Sequence, residues 1–579
     1  VASGLLAAWV AWINFDAQIP FTPFQWAAFL AAGASLAWWG LRLASAKGTP
    51  WNAADWLVVA VLLLWLLPWY PHPDLHHEGF YLGPVNDVLH GRAMLVDTAC
   101  QYGVAVVYFL AGAFTLLRLP PSFDGLFCID ALLFLVAYLA AYWLLRKILN
   151  SRLLAVLAIL IAIVVERFPQ LGADNAQYPS VGPLRFGLPL LLLLAAWRRR
   201  RHANRVRWPR LAEGMLLGLT ALWSLETLVY ALAGYGAFCA GEAWIDHPNL
   251  RRAAAGLGRS LAFSAIVMGV AHAAYALAVR AWAGAWPDWG LYWDFLSLYS
   301  GGFGSLSFPL HSPWVLPQGI CLASLMACSL LLLKRRDPSA ELLLILGLTT
   351  ASVAEFTYFI GRAHPSNLNH LAFLPTVLAF YWLDRLAHSR TFPLAAVLGL
   401  LLVGGATTAA LAMNIRPAYE AARTAELAWT RPGGIVNTVE ELAGRLAHPV
   451  AYNSASAEAA ALAKAYLPGR DRIVMLVADR ITVEAHLLSG TCDLAQISDP
   501  SEDALVPLRR LDLHLDDALE AGDIIVGGPF NQPFEPRHSA FAWMQELRLY
   551  RLEQRFYPQV LAHGPLGICA IRLWARPPH

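Results

Sequence analysis

Residues 73–103 hold a dense group of side chains able to do chemistry. The run reads Pro73-Asp74-Leu75-His76-His77-Glu78-Gly79-Phe80-Tyr81, then Asn86-Asp87-Val88-Leu89-His90-Gly91, Leu95-Val96-Asp97 and Gln101-Tyr102-Gly103. Asp74, Glu78, Asp87 and Asp97 supply carboxylates, and His76, His77 and His90 supply imidazoles. Such a group can accept a proton, bind a cation or cap short helices. Asp87 and Asp97 also suit the plain role of caps or solvated loop charges. Glu78, between two His and a Gly-aromatic pair, is the best placed to take a proton.

A second group carries the opposite charge. Gly361-Arg362-Ala363-His364-Pro365-Ser366-Asn367-Leu368-Asn369-His370 joins two apolar runs. Arg362 offers a planar fork suited to an oxyanion, and His364, Asn367 and His370 add donors. Arg185, after Tyr178-Pro179-Ser180, is a second candidate cation. Each Arg equally suits a snorkelling interfacial role. Glu226 and Glu355 stand inside apolar runs, where carboxylates are rare. Glu226 marks the division between two short helices, and Glu355 can serve as a partner of Arg362.

The elements that must position these groups are set by composition. The chain has 579 residues, 58% of them hydrophobic and only 14% charged. Soluble domains run near 25% charged. The balance excludes a soluble enzyme, a disordered chain and a fibrous repeat, and a net charge of +2 is too small to suggest a nucleic-acid binder. The sequence reads as an integral membrane protein. A spanning helix needs about 20 apolar residues. Candidates fall near 1–15, 25–46, 55–70, 124–146, 152–166, 183–197, 211–227, 229–245, 260–283, 313–333, 339–360, 367–384 and 392–413. The first lacks a basic n-region and a cleavage site and is not read as a signal peptide. Arg198–Arg201, Lys334-Arg335-Arg336 and Arg146-Lys147 mark cytoplasmic loops by the positive-inside rule. One consistent topology follows if 102–118 lies along the interface instead of spanning. It puts 71–123, 167–182, 284–312, 361–366 and the C-terminal part on the outer side. The aromatic run Trp286, Trp289, Tyr292, Trp293 and Phe295 then suits a membrane-surface helix.

With those residues in view, the pattern resembles the first outer loop of bacterial GT-C superfamily glycosyltransferases, which use polyprenyl-phosphate-linked sugars. His77-Glu78-Gly79-Phe80, Leu89-His90-Gly91, Asp97 and Gln101-Tyr102-Gly103 match that loop in order and spacing. The likeness is firm over about residues 55–150 and looser to 413. Glu78 stands where many relatives have Asp, one methylene shorter. The resemblance implies about 13 transmembrane helices plus juxtamembrane helices over 1–413, in a bacterial inner or plasma membrane, with an extracytoplasmic site. It implies inverting transfer of a sugar from a polyprenyl-phosphate donor to a glycan, lipid or protein acceptor, without a covalent enzyme intermediate. Glu78 is then the base. Asp74, Asp87, Asp97, His76 and His77 orient it or bind sugar hydroxyls, and Gln101 and Tyr102 open the juxtamembrane helix beside the substrate. Arg362, His364, Asn367, His370 and Arg185 become candidates for the donor phosphate. No bound cofactor is expected, and a divalent metal is left open. Two other readings compete. A ligase or polymerase using a polyprenyl diphosphate would want more outer cations. A lipid or sugar transporter would want a midplane site and internal repeats.

Beyond about residue 414 short apolar runs alternate with helical patterns, which predicts an extracytoplasmic soluble α/β domain over 414–579. Arg472–Asp479 and Asp523–Pro529 read as strands, a helix runs through His486 to Gly490, and Gly567–Leu573 reads as an edge strand. No P-loop, GxGxxG or nucleophile elbow appears there, so this part binds or braces. The seven Cys form no metal spacing, and a Cys492–Cys569 disulfide is compatible with the compartment.

Single cysteines placed in 71–100 and in 198–210 should label from opposite faces of intact vesicles. Labelling of both from one face would remove the topology and what rests on it.

Overall fold

A computed structural model describes residues 51–168, 175–201, 208–247, 249–300, 306–308, 314–334, 339–388, 418–420, 422–428, 430, 432–470, 472–476, 479–493, 523–527, 556–566 and 568–575. The expected spans 1–15, 25–46 and 392–413 lie outside them. The helices are α1 Ala53–Leu66, α2 Leu75–Leu89, α3 Ala105–Leu117, α4 Phe123–Ile148, α5 Arg152–Glu166, α6 Pro183–Arg201, α7 Trp208–Trp223 and α8 Leu225–Asp246. They continue with α9 Leu250–Ala283, α10 Trp289–Ser300, α11 Val315–Leu333, α12 Ala340–Gly361, α13 Pro365–His370, α14 Phe373–Ala387, α15 Gly434–Ala447, α16 Ser454–Tyr466 and α17 Asp479–Ser489. The strands are β1 Arg472–Leu476, β2 Cys492–Asp493, β3 Asp523–Gly527, β4 Phe556–His563 and β5 Ile568–Ala575.

Among the described residues five helices are long and apolar enough to cross a membrane: α4, α8, α9, α11 and α12. α3 is not one of them. Its 13 residues reach about 20 Å at 1.5 Å per residue, short of a hydrocarbon core of about 30 Å. Leu116 on it is 83% exposed. The reading of 102–118 as a non-spanning apolar helix agrees with this length.

The chain divides into two compact units, Val1–Trp69 with Asp130–His272 and Gly304–Ile435, and Tyr70–Ile129 with Ala273–Phe303 and Val436–His579. In the first, several buried charges are held in hydrogen-bonded ion pairs between helices. Asp55, in the first turn of α1, accepts from Tyr142 Oη at 2.8 Å and Arg146 Nε at 2.7 Å on α4. Arg199 on α6 bonds Glu213 of α7 at 2.7 Å and both carboxylate oxygens of Glu242 of α8 at 2.8 and 2.7 Å. Without such partners each charge would carry a large desolvation cost. α7 and α8 part at Ser224, not at Glu226 as the sequence suggested. The Ser224 side chain accepts from Thr227 N at 3.1 Å and so starts α8, which leaves Glu226 in its first turn.

In the second unit the sheet order is β2-β1-β3-β5-β4. β1 runs parallel to β2 and β3, and β5 runs antiparallel to β3 and β4. β5 is therefore internal, which corrects the edge assignment of Gly567–Leu573. β4 pairs its far side and takes the edge among the described strands. The alanine face of α16 (Ala455, Ala459, Ala463) packs with Ile473, Met475 and Ala570. Small side chains there let a helix lie close to the sheet. Cys492 and Cys569 are both free thiols, so the disulfide reading also falls.

Two glycines on α8 provide a test of packing. A Cβ on Gly234 would lie 2.9 Å from the Gly347 carbonyl of α12, whereas one on Gly236 meets nothing within 4 Å. Gly234→Ala should destabilise by about 1–3 kcal/mol through overpacking against backbone. Gly236→Ala should be neutral or gain up to about 1 kcal/mol from helix propensity. Thermal unfolding of the two variants in detergent checks this, and equal effects would contradict the close approach.

Candidate active site

The helix that carries the first cluster is a poor helix by sequence. α2 contains Gly79, Gly83 and Pro84, all costly in helix interiors. Capping and burial hold it instead. Asp74 is its N-cap, and Asp74 Oδ1 accepts from the backbone N–H of His76 at 2.9 Å and of His77 at 3.0 Å. The His77 ring stands 3.3 Å from the same oxygen. Burial pushes the Asp74 carboxyl up, but its hydrogen bonds and the nearby His77 prevail and hold it at about 2, below the ordinary 3.8. A depressed carboxylate stabilises the fold fully above its ordinary range. This contribution is lost as the pH falls through about 2. Pro84 has no N–H to give the Phe80 carbonyl, and Cys100 Sγ donates to that oxygen at 3.4 Å.

Residues 78–87 of α2 are all buried. Glu78 is 0% exposed, one turn after Asp74. His76 packs edge-on against His77 at 5.0 Å and Phe80 at 4.8 Å. Tyr81 stacks on Tyr102 at 4.7 Å, and Gln101 beside it is buried. The structure thus gathers Asp74, His76, His77 and Glu78 in the first turn of α2, with Tyr102 against its middle.

Asp87 and Asp97 have other partners. Asp87 faces Arg92, with Oδ1 3.6 Å from Nη1. Asp97 Oδ2 accepts from Ala93 N at 2.8 Å, and the Asp97 carbonyl accepts from Arg92 Nη2. Both close the turn between Gly91 and Thr98, in which Leu95 adopts a left-handed φ of 63°. That turn is clasped from the aromatic run. Tyr275 Oη donates to Met94 O at 2.7 Å, and Asp288 N donates to Leu95 O at 2.7 Å. Trp289 packs on Tyr275 at 5.7 Å, while Trp286 and Trp293 are exposed.

Sequence reasoning missed the residues that brace this segment. Arg445 on α15 donates to Asp124 at the start of α4 through Nε at 3.2 Å and Nη2 at 2.7 Å, and to Pro71 O at 3.1 Å. Tyr452 Oη donates to Asp124 as well. Burial pulls the Arg445 guanidinium down, yet Asp124 and Tyr452 outweigh it and raise it. Asn86 of α2 donates to Thr491 O at 2.9 Å, and His90 reaches Gly490 O at 3.3 Å. Gly79 faces Val483 of α17, 3.9 Å from a Cβ built there. No local signal shows these pairs, because their partners lie more than 300 residues apart. A buried acid at the start of an apolar helix was the one available hint.

The other candidates lie in the first unit. Arg362 caps the end of α12 and is exposed. Its carbonyl accepts from Asn367 Nδ2 at 2.8 Å, which folds the 362–367 turn. His364 is half-buried there, and burial together with the neighbouring Arg362 lowers its affinity for a proton. Glu355 is buried, and no ion pair joins it to Arg362 among the described residues. Arg185 is already engaged. It pairs with Glu226, donates to Ser180 O at 2.8 Å and lies 4.7 Å from the Tyr358 ring centre. His370 is buried, with Nδ1 2.9 Å from Asn175 Nδ2. Among the described residues no group of three or more His, Cys, Asp or Glu side chains is placed to hold a metal ion.

Arg445→Ala should destabilise by about 3–5 kcal/mol, since it leaves Asp124 buried without its cation. Adding Asp124→Asn should recover part of that loss. Equal thermal stability of Arg445→Ala and wild type would remove the brace.

No family model matches the sequence, and no curated protein matches it. Among solved structures the chain is similar to the Archaeoglobus fulgidus oligosaccharyltransferase, crystallised in complex with Zn and sulfate, at 13% sequence identity and a TM-score of 0.40, over 89% of this chain and 72% of that one.

Proposed function

We propose that the protein is an inverting membrane glycosyltransferase. It takes a sugar from a polyprenyl-phosphate donor and passes it to an extracytoplasmic glycan, lipid or protein acceptor at the bacterial inner membrane. The observation that carries this reading is Glu78, a fully buried carboxylate in the capped first turn of α2, beside the Asp74–His77 pair. A sugar on a lipid phosphate already has a good leaving group. The acceptor hydroxyl is the weak partner and needs a base within hydrogen-bond reach. Glu78 takes that proton as the hydroxyl attacks the anomeric carbon, and the phosphate leaves with the electrons of the glycosidic bond. Asp74 holds the helix start, and its contact with the His77 ring keeps that ring beside the base. Tyr102, half-buried and stacked on the buried Tyr81, offers an aromatic face of the kind sugars lie against. Of the two arginines named for the donor phosphate, Arg362 is exposed, whereas Arg185 pairs with Glu226. The planar fork of Arg362 suits bidentate contact with phosphate oxygens. No metal is assigned to the reaction.

Glu78→Gln keeps size and shape but cannot take the proton. Sugar transfer from a polyprenyl-phosphate donor in proteoliposomes should fall by roughly 10²–10⁴-fold, with donor binding kept. Near-normal turnover of the folded variant would sink the assignment of Glu78.

A further inference from the structure

Inside the first unit a cavity of about 40 Å³ opens between α4, α5, α6, α12 and the start of α14. Most of its wall is apolar, from residues such as Phe186, Leu193, Leu348 and Phe373. The exceptions are Tyr138, Glu166, Glu355 and His370. Glu355 is 4% exposed and has no hydrogen-bond partner among the described residues. Glu166 accepts from Tyr138 Oη at 2.9 Å.

Two carboxylates on one small, largely apolar cavity set a charge problem. An ionised carboxylate without a partner is costly away from water, and a second one nearby adds repulsion. The cavity wall offers no cation to answer it. His370 is neutral in this geometry. Asn175 Nδ2 already donates to the Glu166 carbonyl, which fixes it as the amide nitrogen. The same nitrogen lies 2.9 Å from His370 Nδ1, so that ring atom accepts and carries no proton. Arg167, next to Glu166 in the chain and outside the cavity wall, acts on Glu166 through its charge. Its guanidinium reaches Ala131 O at 3.4 Å and lies 5.2 Å from the Phe134 ring centre. Asp130 acts on Glu166 in the opposite sense.

We propose that this cavity is a binding site for a single positive charge, a proton or a monovalent cation, held between Glu355 and Glu166. Its volume admits one small ion or one water, since one water occupies about 30 Å³. A divalent ion fits the chemistry poorly. Calcium takes six to eight oxygen ligands and magnesium a strict octahedron. Here two carboxylates and one tyrosyl hydroxyl face apolar walls. The site is independent of the glycosyl-transfer reading, because it needs no donor, no acceptor and no turnover.

The test uses the full chain in detergent, at neutral pH, with either NaCl or choline chloride at equal concentration. Infrared difference spectra in choline chloride report the C=O stretch of a protonated carboxyl, and thermal unfolding reports sodium binding. If the charge is a proton, wild type shows a carboxyl band that is lost in Glu355→Gln. If it is a sodium ion, wild type melts higher in NaCl than in choline chloride, and the difference vanishes in Glu355→Gln and in Glu166→Gln. The two arms separate the sources of charge, and wild type alone is enough to read the second. Elution as a monodisperse peak shows that a variant is folded, and Glu166→Gln stands in where Glu355→Gln is not. The proposal is overturned if wild type melts alike in both salts and its carboxyl spectrum matches that of the folded variant.

Discussion

The second unit depends on one guanidinium. Arg445 binds Asp124 through two nitrogens and reaches the carbonyl of Pro71 with one of them. It therefore grips both ends of the segment that runs from the residues before α2 to the start of α4. Asp124 is buried, so the pair stands or falls together: neither partner can be removed without leaving the other in a poor solvent. Between those ends Asn86 and His90 reach the backbone of Thr491 and Gly490. The C-terminal residues thus hold this segment at its ends and between them.

That scaffold explains how so weak a helix can carry a buried acid. α2 has two glycines and a proline within its 15 residues. Its first turn is closed by Asp74, its missing hydrogen bond at Pro84 is replaced by Cys100, and its length is buried among neighbours. A helix of good intrinsic propensity would need none of this. The glycine at 79 leaves room for Val483 to approach, so the residues that weaken the helix also admit the element that holds it.

In the first unit the same rule of desolvation produces a different pattern. Asp55, Glu213 and Glu242 are each answered by arginine on a neighbouring helix. They tie apolar helices in a fixed register, where packing alone would leave sliding cheap. Glu355 and Glu166 line a cavity whose wall holds no arginine or lysine, and Glu166 is met there by the Tyr138 hydroxyl instead.

By itself the sequence determined an apolar, largely helical chain and a local cluster of acids and imidazoles. Apolar runs with few charges specify membrane helices, because backbone polar groups in lipid must bond within their own segment. The order Asp74-His76-His77-Glu78 specified a cluster, because a helical turn brings residues three and four apart onto one face. The strands at Arg472–Leu476 and Asp523–Gly527 and the helix between them were legible for the same local reasons. Tertiary structure decided the rest. It separated Asp87 and Asp97, which close a turn, from the acids of the α2 first turn. It placed β5 inside the sheet, since strand order follows pairing partners that no periodicity encodes. It committed Arg185 to Glu226 and left Arg362 exposed, although both read alike as arginines beside apolar helices. Arg445 and Asp124 were illegible as a pair because 321 residues separate them, and only the fold decides which buried charge finds its partner.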